Sequence, residues 1–509
     1  MARPQTFSRV IVVGMIVAFL LITLSLAFQL NIWADEASTL YTTQNGFFSA
    51  FQNAAAIEKQ APLYFWLIAL WRDVNNSIEF ARLFAIICSV VSIALFAGVA
   101  SRLFERRTAI LATTFFAFHP FLIWASLEIR VYSLVILLSI LLVRFFYDGF
   151  FESSEGEPKT LAKIFFVVTA IVSLYTNYYL GFILAGCFAA LLATKKWREA
   201  KHYFVLMLIA GVICLPLLFA IRSQFAVNTS GFQDPFSLIE AMRYLWHHFV
   251  TFILPSELFS EDNMTTADIV RLWAVRFVIV ITAIFSVINR KQISARTIFL
   301  GSVAVTVFAF LFLAYAVVGS TYVELRHASV AFVPLILFLA SILEDVFGQI
   351  ESSFGRVAVL AATVLVLAMF SNALFSLYPT TAKRGDWARV ADYIQQNETE
   401  GQPIVIFAAF DALALPYHYH GINQIYPNDR FFDFELEAKF GSPDSLKAQI
   451  DFVISEIPPG SNEIWLAVNE KCLVTDACVP LEKFVDANYT VIQEQDFYRE
   501  KVRLLRKKQ

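Results

Sequence analysis

Residues 10–30 form an apolar run of about twenty residues, the length at which a helix crosses a bilayer, and comparable runs recur as far as residue 375. No water reaches the backbone in hydrocarbon, so such runs fold as helices that satisfy their own N–H and C=O groups. Composition agrees: 58% of residues are hydrophobic and 16% charged, with a mean hydropathy of +0.63, far from the range of soluble domains. The 52 phenylalanines read as lipid-facing and helix-packing bulk. A net charge of -3, with no basic stretch interleaved with aromatics, excludes nucleic acid as a partner.

Arg3 and Arg9 precede the first run. That is the charge order of a signal peptide, but the core is too long and no small-residue cleavage site stands near Ala27. The run reads as a retained first span with its basic flank in the cytoplasm, which puts Asn31 and its neighbours outside. Residues 61–71 are apolar and aromatic but only about half the length of a span, so they are expected to lie on the membrane. Were they to cross, Arg102, Arg106 and Arg107 would fall outside, against the positive-inside rule. Residues 31–80 therefore form one outer loop carrying interfacial helices. Residues 81–104 then go in, 109–126 come out and 132–147 return. Residues 161–192 split at Tyr175 to Tyr179 into two short spans. Residues 203–221 lead to a long loop, and 272–288, 298–318, 328–343 and 357–375 complete about eleven spans.

From about residue 376, charges, prolines and turn residues return and the apolar runs shrink to strand length. Spacing predicts helices over 386–396 and 445–457 and buried strands at 403–407 and 463–468. The expected fold class is a polytopic α-helical membrane protein, residues 1–375, with an extracytoplasmic soluble α/β domain, residues 376–509. Its basic tail, 501–508, is left outside, since long translocated domains largely ignore the charge rule. Cys472 and Cys478 are close enough to close a small loop and are the candidate disulfide, which requires an oxidising compartment. Cys88, Cys187 and Cys214 fall in spans as small apolar residues. His418 and His420 lack further ligands nearby and read as strand or loop histidines.

Laid on this topology, the unusual polar residues gather at the outer rim. They are Asp35 and Glu36, Lys59 and Gln60, His119, Glu128, Arg130 and Tyr132, Asn177 to Tyr179, His247 and His248, and Glu324, Arg326 and His327. Each has an ordinary role open to it. Asp35 can cap a helix that starts at Glu36, the arginines can extend to the interface, Glu128 can pair with Arg130 or Arg326, and the tyrosines can form an aromatic belt. Taken together, acids and bases at one face of a bilayer fit an amphiphilic substrate with a charged head, because ionisable groups at a membrane edge are costly to keep.

The order and spacing of several motifs carry a resemblance. Trp33-Ala34-Asp35-Glu36-Ala37, Ala61-Pro62-Leu63-Tyr64-Phe65, Glu79-Phe80-Ala81-Arg82-Leu83, Ser101-Arg102-Leu103-Phe104-Glu105-Arg106-Arg107 and Glu128-Ile129-Arg130-Val131-Tyr132-Ser133 resemble successive motifs of the bacterial protein-mannosyltransferase-like glycosyltransferases. These belong to the membrane superfamily with the C-type fold, which also holds the aminoarabinose transferase of lipid A. Leu174-Tyr175-Thr176-Asn177-Tyr178 and Leu325-Arg326-His327-Ala328-Ser329 resemble later family segments. The resemblance implies a multi-pass enzyme of the bacterial plasma membrane, with its active site and C-terminal domain on the periplasmic or extracellular side. Such an enzyme transfers a sugar, with inversion, from a polyprenyl-phosphate-linked donor to a hydroxyl of a lipid, glycan or protein acceptor. It implies Asp35 as general base, with Glu36 beside it and Glu128 as a second acid. It further implies Lys59, Gln60, Arg130, Tyr132, Tyr178, Arg326 and His327 as substrate-binding residues. Two positions depart from the family pattern: Gln60-Ala61-Pro62 stands where relatives carry His or Lys before Pro-Pro, with Lys59 one place earlier, and Asn177 stands where Thr-His-Tyr is usual.

The residue types suit that chemistry. A glycosidase needs two carboxylates, one of them to protonate the leaving oxygen. A phosphate departs as an anion, so one base suffices, and the need shifts to cations and donors around the phosphate, which Lys59, Arg130, Arg326 and His327 can supply. A divalent cation between the acids is left open, and no ligand spacing demands one. Two other readings share the topology. A transporter or flippase of lipid-linked substrates would place its site near the midplane on broken helices, and a polymer ligase would use the same lipid carriers.

Overall fold

The long apolar runs do form helices. The computed structural model describes residues 9–152, 159–218, 237–255, 293–318, 325–347, 353–406, 411–426, 457–469 and 479–509, with a few isolated positions between. The chain divides into two compact units, Met1–Ala27 with Thr42–Leu377, and Phe28–Tyr41 with Tyr378–Gln509.

In the first unit, α1 (Arg9–Ala27) leads to the short α2 (Ala34–Thr42), of which only the last residue belongs here, then to α3 (Gly46–Asn53) and α4 (Leu63–Arg72). At ten residues α4 is too short to cross. Among the described residues, five helices have the length and apolarity of a span: α1, α5 (Ile78–Leu103), Tyr132–Phe151, Ala295–Ala316 and Leu360–Leu377. A sixth is formed if α6 (Arg106–Phe118) and α7 (Pro120–Leu127) count as one, bent by 44°. The span expected over 109–126 is therefore broken. Pro120 has no N–H to give, and His119 caps α7, its Nδ1 accepting from Phe121 N at 3.1 Å. His119 is fully buried, with Phe332 and Phe370 each 4.9 Å from its ring, so it is a core cap rather than a rim group.

The chain continues through α8 (Tyr132–Phe146), α9 (Lys159–Thr176), α10 (Gly181–Ala193), α11 (Trp197–Ile213) and α12 (Leu238–Ile253) to α13 (Ala295–Val318), α14 (Ser329–Phe347) and α15 (Ser353–Leu377). The break between α9 and α10 is the 3₁₀ turn Tyr178–Leu180, at the split the tyrosines predict. The span expected over 272–288 lies almost wholly outside the described residues. Hydrogen bonds tie α5 to its neighbours: Arg82 Nη1 donates to Ala27 O at 2.6 Å, and Ser89 Oγ to Ser133 Oγ at 3.2 Å. A Cβ on Gly186 would lie 2.9 Å from Val303 Cα, so α10 and α13 pack as closely as only glycine allows. Charges at helix ends neutralise one another: Arg102 and Arg144 each reach Asp148 at 2.9 Å, and Arg296 reaches Glu344 at 2.8 Å.

The second unit is built on a mixed sheet of β1 (Ile404–Ile406), β2 (Ile425–Tyr426), β3 (Glu463–Asn469), β4 (Tyr489–Phe497) and β5 (Glu500–Lys507), in the order β2-β1-β3-β5-β4. β1 runs parallel to β2 and β3, while β5 is antiparallel to β3 and β4. β3 is buried on both faces. Ile464, Leu466 and Val468 pack with Val405, Leu505 and the Leu481 and Val485 of α17 (Val479–Asn488). On the other face Trp465 Nε1 donates to Gln402 Oε1 at 3.2 Å, and its ring meets Tyr393 of α16 (Trp387–Asn397).

The expected helix over 386–396 and the expected strands at 403–407 and 463–468 are present as α16, β1 and β3. Residues 501–508, read as a basic tail, instead fall mostly in β5, between β3 and β4. Their charges are paired: Arg503 makes two bonds of 2.7 Å to Glu482, Arg506 reaches Glu463 at 2.8 Å and Lys501 reaches Glu494 at 3.1 Å. His418 ends a single helical turn, Leu415–His418. The helix expected over 445–457 lies largely, and the disulfide candidates Cys472 and Cys478 wholly, outside the described residues.

Candidate active site

Residues 31–80 were expected to form one loop, but Phe28–Tyr41 belongs to the second unit. Asn31 shows why. It is buried, its Oδ1 accepts from Lys383 N at 2.8 Å, and its Nδ2 donates to Lys383 O at 3.2 Å and Gly385 O at 2.8 Å. Further contacts follow: Ile32 N donates to His418 Nε2 at 3.4 Å, Tyr417 OH to Ala37 O at 3.4 Å, and the Arg384 guanidinium lies 4.3 Å over the Trp33 ring.

Glu36 is fully buried, its Oε1 3.0 Å from Lys383 Nζ. Its Oε2 accepts from Trp33 N at 3.4 Å, the reach of a third-position acid back to the residue before its helix. Glu36 is thus a helix-starting acid locked by a buried lysine, rather than a group presented to a substrate. Asp35 differs. From Leu30 to Leu40 it is the one residue that is not buried.

The partner segment is strained. Thr380, Thr381, Arg384 and Gly385 all have positive φ, at 55°, 56°, 43° and 131°. At Gly385 a Cβ would run into Glu500 Oε1. Next to it, burial pushes the Asp386 carboxyl above the ordinary aspartate range, and Arg389, 3.1 Å away, pulls it partly back.

In the first unit, a π-turn over Ala54–Glu58 ends at Lys59, which adopts the left-handed conformation at φ 51°, and Gln60 N donates to Ala54 O at 3.1 Å. Arg130 Nη1 reaches Glu58 Oε2 at 2.7 Å, and Thr42 Oγ1 donates to Glu58 Oε1 at 3.4 Å. Arg130 is therefore held by Glu58, a partner the sequence reading did not name. Glu128 is buried at the end of α7, and Tyr132 opens α8 with its ring stacked on Trp124 at 5.0 Å.

Tyr178 opens the turn between α9 and α10, where Asn177 Oδ1 accepts from Tyr179 N at 2.9 Å. The ring of Tyr179, next in sequence, lies 6.0 Å from that of His327. Arg326 and His327 occupy the turn before α14. His247 and His248 lie in α12 with rings 6.0 Å apart, and Glu324 is outside the described residues. The structure thus gathers Glu58, Lys59, Gln60 and Arg130, and separately Tyr178, Tyr179 and His327. Among the described residues no three His, Cys, Asp or Glu side chains are grouped as metal ligands would be.

Glu58, Asn31 and Lys383 are the residues that sequence reasoning missed. Glu58 carried a signal, an acid directly before Lys59. Lys383 also carried one, lying in Lys383-Arg384-Gly385-Asp386 directly after the last span.

A multi-pass helical unit with a broken span, followed by an α/β unit that takes in the first loop after α1, has the architecture of the C-type membrane glycosyltransferases. The solved structure of ArnT from Cupriavidus metallidurans in the apo state is similar, with a TM-score of 0.55 and 14% sequence identity, covering 97% of this chain and 98% of ArnT. The same protein bound to undecaprenyl phosphate gives a TM-score of 0.54 at 14% identity, covering 96% and 98%. At that identity the likeness is one of fold. Residues 59–219 match the family model of the dolichyl-phosphate-mannose-protein mannosyltransferases, a stretch that holds Lys59, Gln60, Glu128, Arg130, Tyr132 and Tyr178. Compared with curated protein sequences, the chain has no match. Fold and family model together bear out the resemblance read from the motifs.

Proposed function

We propose that this protein is an inverting glycosyltransferase that moves a sugar from a polyprenyl-phosphate-linked donor to a hydroxyl of a lipid, glycan or protein acceptor at the outer face of a bacterial plasma membrane. The observation that carries the reading is the family match over residues 59–219, in a chain with the C-type fold. The bound undecaprenyl phosphate of ArnT supports a lipid phosphate as carrier.

In this reading the acceptor oxygen bonds to the anomeric carbon as the carbon–oxygen bond to phosphate breaks. The proton passes to Asp35, and the lipid phosphate leaves as the anion. The partial exposure of Asp35, amid buried neighbours, supports its role as base. Lys59, Arg326 and His327 supply charge and hydrogen bonds to the departing phosphate, while Tyr132 and Tyr178 border the sugar. Glu128 and Arg130, both buried, shape this region.

The test uses the full chain in proteoliposomes with a panel of undecaprenyl-phosphate hexoses and pentoses, following release of undecaprenyl phosphate and labelling of acceptors. Asp35→Asn is expected to bind undecaprenyl phosphate like the parent and to lose about 10²- to 10⁴-fold in turnover, the usual share of a general base. Turnover close to the parent's overturns the assignment of Asp35. Transbilayer movement of an intact donor, without bond cleavage, would favour a transporter instead.

A further inference from the structure

We infer that Lys383 is a positioning residue for Asp35, and that the C-terminal unit thereby forms part of the active-site machinery rather than an appendage to it. The inference rests on the reading of Asp35 as base.

Three observations converge on Lys383. First, its ammonium pairs with Glu36 at 3.0 Å, and both side chains are buried, at 3% and 0% exposure. A carboxylate in such a place is held only while its cation is there; without it, the group must take a proton or move towards water. Second, Glu36 is the residue that closes the start of α2 through Trp33 N, and Asp35 lies in that same turn. Loosening Glu36 therefore loosens one tie on the turn that carries Asp35. Third, the backbone of Lys383 is itself fixed. Asn31 bonds both its N and its O, and beyond it the left-handed Arg384 and Gly385 bring the chain against Glu500 of β5. Residues held at positive φ persist only where their surroundings over-determine them, and strain of this kind clusters at functional sites.

The arrangement runs from the sheet through β5 and Gly385 to Lys383, then through Glu36 to the first turn of α2. Glu500, Gly385, Lys383 and Glu36 along it are all buried. A base must be held within a few tenths of an ångström of its working position, and a displacement of about 1 Å costs on the order of 10²-fold in rate.

The test is made on the full chain in proteoliposomes. Lys383→Met is expected to speed amide exchange over residues 31–40 while leaving the membrane helices protected. It should lower kcat per folded molecule by about 10²-fold and leave the donor KM within about twofold. Lys383→Arg, which keeps the cation, should recover most of the turnover. Lys383→Met with Glu36→Gln removes both charges and keeps the protein foldable; it is expected to regain thermal stability but not kcat. Unchanged exchange and kcat in Lys383→Met, or restored kcat in the double variant, would overturn the inference. The exchange measurement needs no donor. If Asp35→Asn retains turnover, the base assignment fails, while the exchange result still decides whether Lys383 orders this turn.

Discussion

Arg130 Nη1 lies 2.7 Å from Glu58 Oε2, with both side chains buried. The pair joins the turn between α7 and α8 to the end of the π-turn that presents Lys59. An arginine that sequence alone would place on a substrate phosphate is held instead by an acid of the same unit. In the proposed reading, its part in donor binding runs through the placement of Lys59 and Gln60.

Breaking this pair from one side should be worse than removing it. Arg130→Met strands a buried carboxylate and is expected to cost about 3–5 kcal/mol, while Arg130→Met with Glu58→Gln should recover a large part of that loss. Thermal unfolding in detergent of the two variants beside the parent measures the difference. Equal stability of the single and double variants would contradict the pairing.

Lys59 combines a left-handed backbone with a cationic side chain, and the two roles separate by substitution. Asn tolerates positive φ, so Lys59→Asn should stay within about 0.5 kcal/mol of the parent in stability. The same variant removes the charge that the proposed mechanism sets against the donor phosphate, which predicts a donor KM raised about 10-fold or more with kcat little changed. An unchanged donor KM would take Lys59 out of the donor site.

Gly385 is needed for two reasons, φ of 131° and the clash that a Cβ would make with the Glu500 carboxylate. Gly385→Ala is expected to lower stability by about 1–3 kcal/mol from backbone strain alone, with the clash adding to it. Circular dichroism melting should register the loss. An alanine variant as stable as the parent would mean that this segment relaxes freely.

Asp386 gives a pH dependence with a definite sign. Its carboxyl is raised by burial, so the folded state holds the proton more tightly than the unfolded chain, whose aspartate titrates near about 3.9. Stability from this group is complete below the unfolded value and is lost as pH rises through the raised folded value. Asp386→Asn cannot undergo that loss. Its melting temperature relative to the parent should therefore climb as pH rises from about 4 and level off once the folded carboxyl has ionised. A difference that stays constant over this range would show that Asp386 titrates as it does in the unfolded chain.

The elements that could be read ahead of the structure are those whose cause is local. Hydrophobic length marked α1, α5 and α13, the polar aromatic interruption marked the break between α9 and α10, and the continuous apolar run of β3 marked a strand covered on both faces. The break at His119 was just as local, through Pro120, but was hidden because the apolar run continues across it and the two helices together have the composition of one span. β5 was missed because its basic residues read as solvated. Their acids come from Glu482, Glu463 and Glu494, on three different elements.

By itself, the sequence determined that this chain is a multi-pass helical protein with a C-terminal α/β region, and which motif-bearing stretches hold its ionisable groups. Those follow from burial in hydrocarbon and from periodicities confined to neighbouring residues. Only the tertiary structure decided which charges meet. Arg130 and Glu58 lie 72 positions apart, and Glu36 and Lys383 lie 347 apart. Nothing in either neighbourhood singles out its partner, because an ion pair is selected by the desolvation that folding imposes on both groups at once. The same folding distinguished Asp35 from Glu36, two adjacent acids alike in sequence, by burying one against a lysine and leaving the other partly exposed.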